Sequence, residues 1–103
     1  QVDITARDYD FHILSSPLSY SAANSMIAIA QENSLASIIG QDSSGGASSV
    51  MTNITPSGTV FFMSSPDTMT DSDFETIEHG IEVDTELSLE SITDAEAVFD
   101  ALP

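Results

Sequence analysis

The sequence contains no cysteine, no lysine and no long apolar run. The lack of cysteine excludes disulfide bonds and thiolate metal sites, although it does not identify the cellular compartment. The lack of lysine argues against a nucleic-acid partner, because phosphate contacts need basic side chains and Arg7 is the only one. No apolar run approaches the length of a membrane-spanning helix, and nothing at the N-terminus resembles a signal peptide. Because the chain starts at Gln1 rather than Met, we expect a processed or excised piece of a longer protein.

Acidic residues dominate what is present. The chain has 17 Asp and Glu against one basic residue, which gives a formal net charge of −16. Such a surplus can keep a protein soluble, adapt it to salt or attract cations. The acids are spread along the chain rather than blocked, which favours the solubility role. Hydrophobic residues make up 41% of the 103 residues, so we expect one small domain, or a fragment of a larger one, with its own core.

The first half of the chain predicts a strand, a helix and a second strand. Short apolar runs at residues 10–16 and 35–40 are bounded by turn residues, as buried strands are. Residues 21–32 between them have a helical period, with Asn24 facing away from an apolar stripe made of Ala22, Ala23, Met26, Ile27 and Ala30. Strand–helix–strand crossovers form parallel sheets, so the expected fold class is α/β.

Weaker patterns fill the rest of the chain. The predicted segments are an extended lead-in at 1–10, hairpin strands at 50–54 and 59–64, an acidic loop at 66–75, an irregular, extended stretch at 77–89, and a helix at 94–102 capped by Thr93. Residues 44–46 (Ser-Gly-Gly) could hold an anion with backbone amides, but no phosphate-loop motif accompanies them, which favours a flexible connector. The carboxylates at 67–75 could bind calcium, but EF-hand spacing is absent, which favours a solvated loop.

Ser21 lies at the predicted corner between the first strand and the helix, where two roles are possible. It could be an ordinary N-cap, with Asn24 in place of the usual Glu or Gln of a capping box. It could also be a nucleophile, with its hydroxyl at the positive end of the helix and the Ala22 amide free to hold an oxyanion. Local pattern favours the cap, because a nucleophilic serine needs a base and the chain offers only His12 and His79.

Neither histidine has an obvious link to Ser21. A lone histidine inside a strand, as His12 is, is more often a packed or edge residue than a base. Glu78 and His79 are neighbours, but adjacent side chains on extended backbone point to opposite faces. Either of the two could still assist a nucleophile elsewhere in the fold.

Six segments, taken in order, resemble the C-terminal part of the carboxy-terminal-processing (tail-specific) serine peptidases, the family that includes the tricorn core protease. These segments are LSSP (14–17), SYSAAN (19–24), ASIIG (36–40), SGGASS (44–49), PSGTVFFMSSP (56–66) and IEHGIEVD (77–84). The resemblance implies a Clp protease/crotonase-like (ββα) fold, of which residues 1–103 would form the C-terminal portion of the catalytic domain. It also implies serine endopeptidase activity on a peptide or protein substrate, no cofactor, no metal, and an exported bacterial location.

By this resemblance Ser21 falls on the nucleophile and the Ala22 amide on one oxyanion donor. One branch of the family pairs its serine with a lysine, which this chain lacks. The tricorn-like branch uses serine, histidine and a downstream glutamate, and Glu78 matches that glutamate. The histidine and a second oxyanion donor would come from the N-terminal remainder of the protein, so these 103 residues alone should be inactive.

Two departures from the family pattern leave an alternative open. Asn24 stands where many relatives have Glu, and Val83 replaces a usual proline. The family also contains members that bind rather than cleave, including the retinoid-binding repeats of the eye. The alternative function is therefore a non-catalytic ligand- or protein-binding domain on the same fold.

Overall fold

A computed structural model describes residues 9–103, so most of the predicted lead-in at 1–10 lies outside the described residues. The elements are β1 (His12–Ser15), α1 (Ala22–Glu32), β2 (Ser37–Gly40), β3 (Ser48–Ile54), β4 (Val60–Thr68), β5 (Thr85–Glu86), a short 3-10 helix (Ser91–Thr93) and α2 (Ala95–Asp100). Within this range, no helix has the length and apolar character needed to cross a membrane.

A parallel three-stranded sheet organises the first half of the fold. β1 pairs with β2 in parallel, and Ile13 lies opposite Ile38. This pairing confirms the predicted strand–helix–strand unit and gives a mixed α/β fold. β5 pairs in parallel with the other edge of β2, so the strand order is β1-β2-β5. The prediction of irregular backbone at 77–89 is wrong at Thr85–Glu86, because Asp84 fixes this segment: its carboxylate accepts from the Ile38 amide at 2.7 Å.

The helix α1 covers the sheet with fewer apolar residues than its sequence suggested. Ile27 and Ala30 pack with Ile38 of β2 in one buried cluster. The other three members of the predicted stripe, Ala22, Ala23 and Met26, are exposed. Asn24 was predicted to face away from the core and is instead fully buried. Its side chain links three segments, because the amide nitrogen donates to the Ile77 carbonyl (2.9 Å) and the amide oxygen accepts from the Ser43 hydroxyl (2.6 Å).

The predicted hairpin is confirmed as the antiparallel pair of β3 and β4, in which Met51 lies opposite Met63 and Ile54 opposite Val60. Its large apolar side chains point to both faces and remain 44–70% exposed: Val50, Met51, Ile54, Val60, Phe61, Phe62 and Met63. No residue from 43 to 66 is charged. A two-stranded hairpin is marginally stable alone, and this one places its apolar faces in contact with solvent.

The final helix α2 is capped differently from the sequence prediction. Asp94, not Thr93, is its N-cap: Asp94 has extended backbone, and its carboxylate accepts from the Glu96 amide at 3.0 Å. Thr93 belongs to the preceding 3-10 helix, where its hydroxyl donates to the Glu90 carbonyl at 2.8 Å. An aspartate at the N-cap satisfies a free helix amide and complements the helix dipole.

Candidate active site

Ser21 has a backbone conformation that ordinary N-cap residues do not adopt. It precedes α1 with φ 57° and ψ −114°, whereas N-caps usually lie in the β region. Its side chain makes no capping hydrogen bond to α1 in the described part of the chain. A non-glycine residue at such a position costs about 1–3 kcal/mol, which the surrounding contacts must offset. The same combination of strain and an exposed hydroxyl is typical of sharp turns that present a nucleophile at a helix start.

A neighbouring loop holds Ser21 in this conformation. The Ser21 amide donates to the Gly45 carbonyl at 2.8 Å, and the Ser44 amide donates to the Ser19 carbonyl at 2.9 Å. On the helix side, the Ser21 carbonyl accepts from the Ser25 amide (3.0 Å) and the Ser25 hydroxyl (3.2 Å). The connection between β1 and α1 is therefore fixed from two directions.

Gly45 and Gly46 allow this loop to approach closely. Both have positive φ, at 80° and 84°. A Cβ on Gly45 would overlap the Glu78 carbonyl oxygen, and a Cβ on Gly46 would lie 2.6 Å from the Tyr20 ring. The Gly46 amide donates to the Glu78 carbonyl at 3.0 Å. Protein acceptors already take the Ser44 and Gly46 amides, so the geometry gives no support to an anion cradle. The loop at 44–47 packs against Ser21 and holds it in place, so it is not a flexible connector. We call it the clamp loop.

Glu78 reaches the same loop with its carboxylate. One oxygen, Oε2, accepts from the Ala47 amide (2.7 Å), the Ser48 amide (2.8 Å) and the Ser48 hydroxyl (3.0 Å). The Ala47 amide, followed by the Ser48 hydroxyl, lowers the pKa of Glu78 below its usual value of 4.5. Hydrogen bonds to a carboxylate favour its charged form, so Glu78 stays ionised at neutral pH.

The lowered pKa of Glu78 predicts how acid affects the hydrogen bonds between its carboxylate and the Ala47–Ser48 segment. A carboxyl group with a depressed folded-state pKa stabilises the protein above its unfolded pKa, and this contribution is lost as the pH falls through the folded value. Glu78→Gln should therefore be less stable than wild type at neutral pH, and the difference should shrink below about pH 4.5. Urea denaturation across this range measures the effect. Ser48→Ala, which removes one of the three donors, should give an intermediate difference, and a constant difference at all pH values would contradict the assignment.

A cleft of about 290 Å³ opens beside Ser21. Five hydroxyl-bearing residues and one carboxylate are among its lining residues, which are Ser21, Ser25, Gly46, Ala47, Ser48, Ser49, Asp67, Thr68 and Met69. The segments at 48–49 and 67–69 were not predicted as site residues. The sequence signal that could have located them is the predicted hairpin, because the start of its first strand and the end of its second strand lie side by side.

Neither histidine lines this cleft. His12 lies on β1 and lines a separate groove along α1, and its Nδ1 is buried without a partner in the described range. His79 is exposed beside Glu78. Within residues 9–103, the fold therefore brings the Ser21 hydroxyl close to the loop that the Glu78 carboxylate binds. It does not bring an imidazole to the same cleft.

The Ala22 amide lies at the first position of α1, directly after Ser21. Across the part of the chain that the structure describes, this amide has no hydrogen-bond acceptor, as expected for the first turn of a helix. It is available to a negatively charged oxygen at the helix N-terminus.

One carboxylate of the acidic loop, that of Asp71, accepts hydrogen bonds from the loop itself. One oxygen of Asp71 accepts from the amides of Asp73 (3.0 Å) and Glu75 (2.8 Å). No group of three or more metal-ligating side chains occurs within residues 9–103.

Two solved structures share this fold over most of the chain. A candidate peptidase from Parabacteroides merdae is 22% identical with a TM-score of 0.67, and the match covers 91% of this chain and 32% of that protein. Mature CPAF, a protease, is 20% identical with a TM-score of 0.61, and the match covers 74% of this chain and 15% of that protein. The chain thus spans about a third or less of either relative's length. No family model and no curated protein matches the sequence. The shared feature is a peptidase-like fold.

Proposed function

We propose that this chain is part of a serine endopeptidase in which Ser21 is the nucleophile. The observation that carries the proposal is the strained backbone of Ser21 at a helix start, combined with a side chain that does not cap the helix. Strain of this kind clusters at active sites, where the surrounding structure maintains it. The peptidase-like fold of the two solved structures supports the same class of chemistry.

The proposed domain is the C-terminal half of a Clp protease/crotonase-like (ββα) catalytic domain of the tail-specific or tricorn-like type. The parallel sheet and the six ordered segments support this assignment. The full site would need the N-terminal remainder of the protein, which supplies a histidine and a second oxyanion donor. The described residues contain no imidazole in the cleft, so this chain alone should not cleave peptides.

In the proposed mechanism, the Ser21 hydroxyl oxygen forms a bond to the carbonyl carbon of a peptide. The supplied histidine takes the hydroxyl proton and then gives it to the departing amine, and water later releases the acyl group from Ser21. The free Ala22 amide would donate to the oxyanion of each tetrahedral intermediate. Glu78 would orient the histidine through Oε1, because Oε2 already accepts three hydrogen bonds.

Reaction with a fluorophosphonate tests this proposal directly. The full-length protein should be labelled, because Ser21 would attack phosphorus and displace fluoride, and the modified residue should be Ser21 by mass spectrometry. Ser21→Ala should remove the label completely. Ser57→Ala is the control, since Ser57 is an exposed serine that does not line the cleft, and it should be labelled like wild type.

A folded full-length protein that stays unlabelled would contradict the peptidase proposal. That result would favour the alternative, a non-catalytic ligand- or protein-binding domain on the same fold. The absence of an imidazole among the residues that line the cleft is the observation on the side of this alternative.

A further inference from the structure

Among residues 9–103, Asp67 is the only charged residue that lines the Ser21 cleft. It lies near the end of β4 and is exposed to solvent. None of residues 9–103 is Lys or Arg, so this part of the chain provides no permanent positive charge to pair with it. The candidate nucleophile thus shares its cleft with a carboxylate that no Lys or Arg of the described range neutralises.

A break in the hairpin register turns this part of β4 toward the cleft. The pairing steps from Val50 opposite Ser64 to Ser48 opposite Thr68, so residues 65–67 of β4 face the single residue Ser49 of β3. Irregularities of this kind re-aim side chains and are common beside active sites. Here the extra residues place Asp67 and Ser49 together in the wall of the cleft.

The position of Asp67 is fixed locally. The buried Ser65 hydroxyl donates to one Asp67 carboxylate oxygen at 3.2 Å and accepts from the Asp67 amide at 3.0 Å. The other carboxylate oxygen, Oδ1, has no partner within the described residues. Two residues on, the Met69 amide donates to the Ala47 carbonyl at 3.2 Å, which ties this end of β4 to the clamp loop.

From this arrangement we propose that Asp67 selects peptides carrying a Lys or Arg side chain close to the scissile bond. The proposal rests on the proposed function in taking the bound peptide as a substrate. A guanidinium or ammonium group needs one carboxylate and nearby hydroxyl acceptors, and Asp67 with Ser49 provides both. A free metal ion would need more ligands than Asp67 alone. No group of three or more His, Cys, Asp or Glu side chains that could hold one lies within residues 9–103.

The overall charge of −16 would attract any cationic peptide, so the local contribution of Asp67 has to be separated from the general field. Asp73→Asn is the matched control. It removes the same charge from an exposed residue that does not line the cleft. A difference between the Asp67→Asn and Asp73→Asn variants therefore reports on the cleft alone.

The experiment measures peptide binding to the full-length protein with Ser21→Ala, so that no cleavage occurs. Short fluorescent peptides with blocked ends carry one Arg, or one Gln, at each position in turn. We expect the best Arg peptide to bind about tenfold more tightly than its Gln counterpart, which corresponds to about 1.4 kcal/mol. Adding Asp67→Asn should bring the ratio of the two dissociation constants, Gln peptide over Arg peptide, close to one. Adding Asp73→Asn should leave this ratio unchanged. The ratio should fall as salt is raised.

Equal binding of Arg and Gln peptides would overturn the proposal, and so would a preference that survives Asp67→Asn. Fluorophosphonate labelling of the Ser21 protein separates this failure from failure of the proposed chemistry. If Ser21 is labelled but Asp67 causes no preference for Arg peptides, the protein is a serine hydrolase with another specificity. An Asp67-dependent preference without labelling upholds the cationic-peptide site, in a domain that binds without cleaving.

Discussion

Replacing Ser21 by glycine is expected to abolish peptidase activity and to make the protein more stable. Activity should fall by up to about 10⁶-fold, the scale seen when a serine nucleophile is removed. Stability should rise by about 1 kcal/mol, because glycine adopts φ 57° without the steric cost that a Cβ imposes. Peptide hydrolysis and urea denaturation of the full-length protein measure the two effects.

Ser21→Ala provides the control, because it removes the hydroxyl and keeps the Cβ. Its activity should fall as far as that of Ser21→Gly, while its stability should stay near that of wild type. An ordinary N-cap would behave differently: alanine costs about 0.5–2 kcal/mol at such a position, and glycine costs a few tenths. Destabilisation of both variants would therefore return Ser21 to the role of a helix cap.

Gly45→Ala is expected to be among the most damaging single substitutions in the chain. A Cβ at this position would overlap the Glu78 carbonyl oxygen, and this oxygen belongs to the backbone, which cannot move aside as a side chain can. We expect a loss of more than about 4 kcal/mol in the free energy of unfolding. Fluorophosphonate labelling of Ser21 should also decline, because the Gly45 carbonyl holds the Ser21 amide. Urea denaturation and labelling rate are the two measurements.

Gly58→Ala isolates the conformational part of this effect. Gly58 has a similar φ of 86°, but nothing lies within 4 Å of a Cβ built there. It should cost only about 1–2 kcal/mol, the penalty for a Cβ in left-handed backbone. If Gly45→Ala cost no more than Gly58→Ala, the close contact between the clamp loop and Glu78 would be ruled out as a source of stability.

The sequence predicted those elements whose signal is local. The strands flanking α1 and the hairpin follow from apolar runs and turn residues, which act over a few neighbours. β5 has only two residues, and its pairing depends on the Asp84 carboxylate reaching the Ile38 amide across 46 positions. The burial of Asn24 depends likewise on Ser43 and Ile77. Contacts between distant segments leave no periodic trace in a single sequence.

In the candidate site, too, the features with a local sequence signal were predictable and those that depend on distant contacts were not. The corner at Ser21 was predictable from the change between strand and helix periods, but its φ depends on the distant Gly45 carbonyl. The place of Asp67 in the cleft follows from a register change in the hairpin, which composition does not encode. The roles of Ser21, Ala22 and Glu78 in catalysis stay predictions, since they depend on a histidine outside residues 9–103.

The charge-free hairpin also bears on self-assembly. Apolar strands with open edges invite the strands of other copies to add on, which is the first step toward aggregation. Asp42 and Asp67 flank the uncharged stretch at 43–66, which is where gatekeeper charges are typically placed. Like charge on every molecule also repels approaching copies before the edges meet. We therefore expect the acidic surplus to oppose aggregation through the hairpin, and we expect acid that neutralises the carboxylates to weaken this effect.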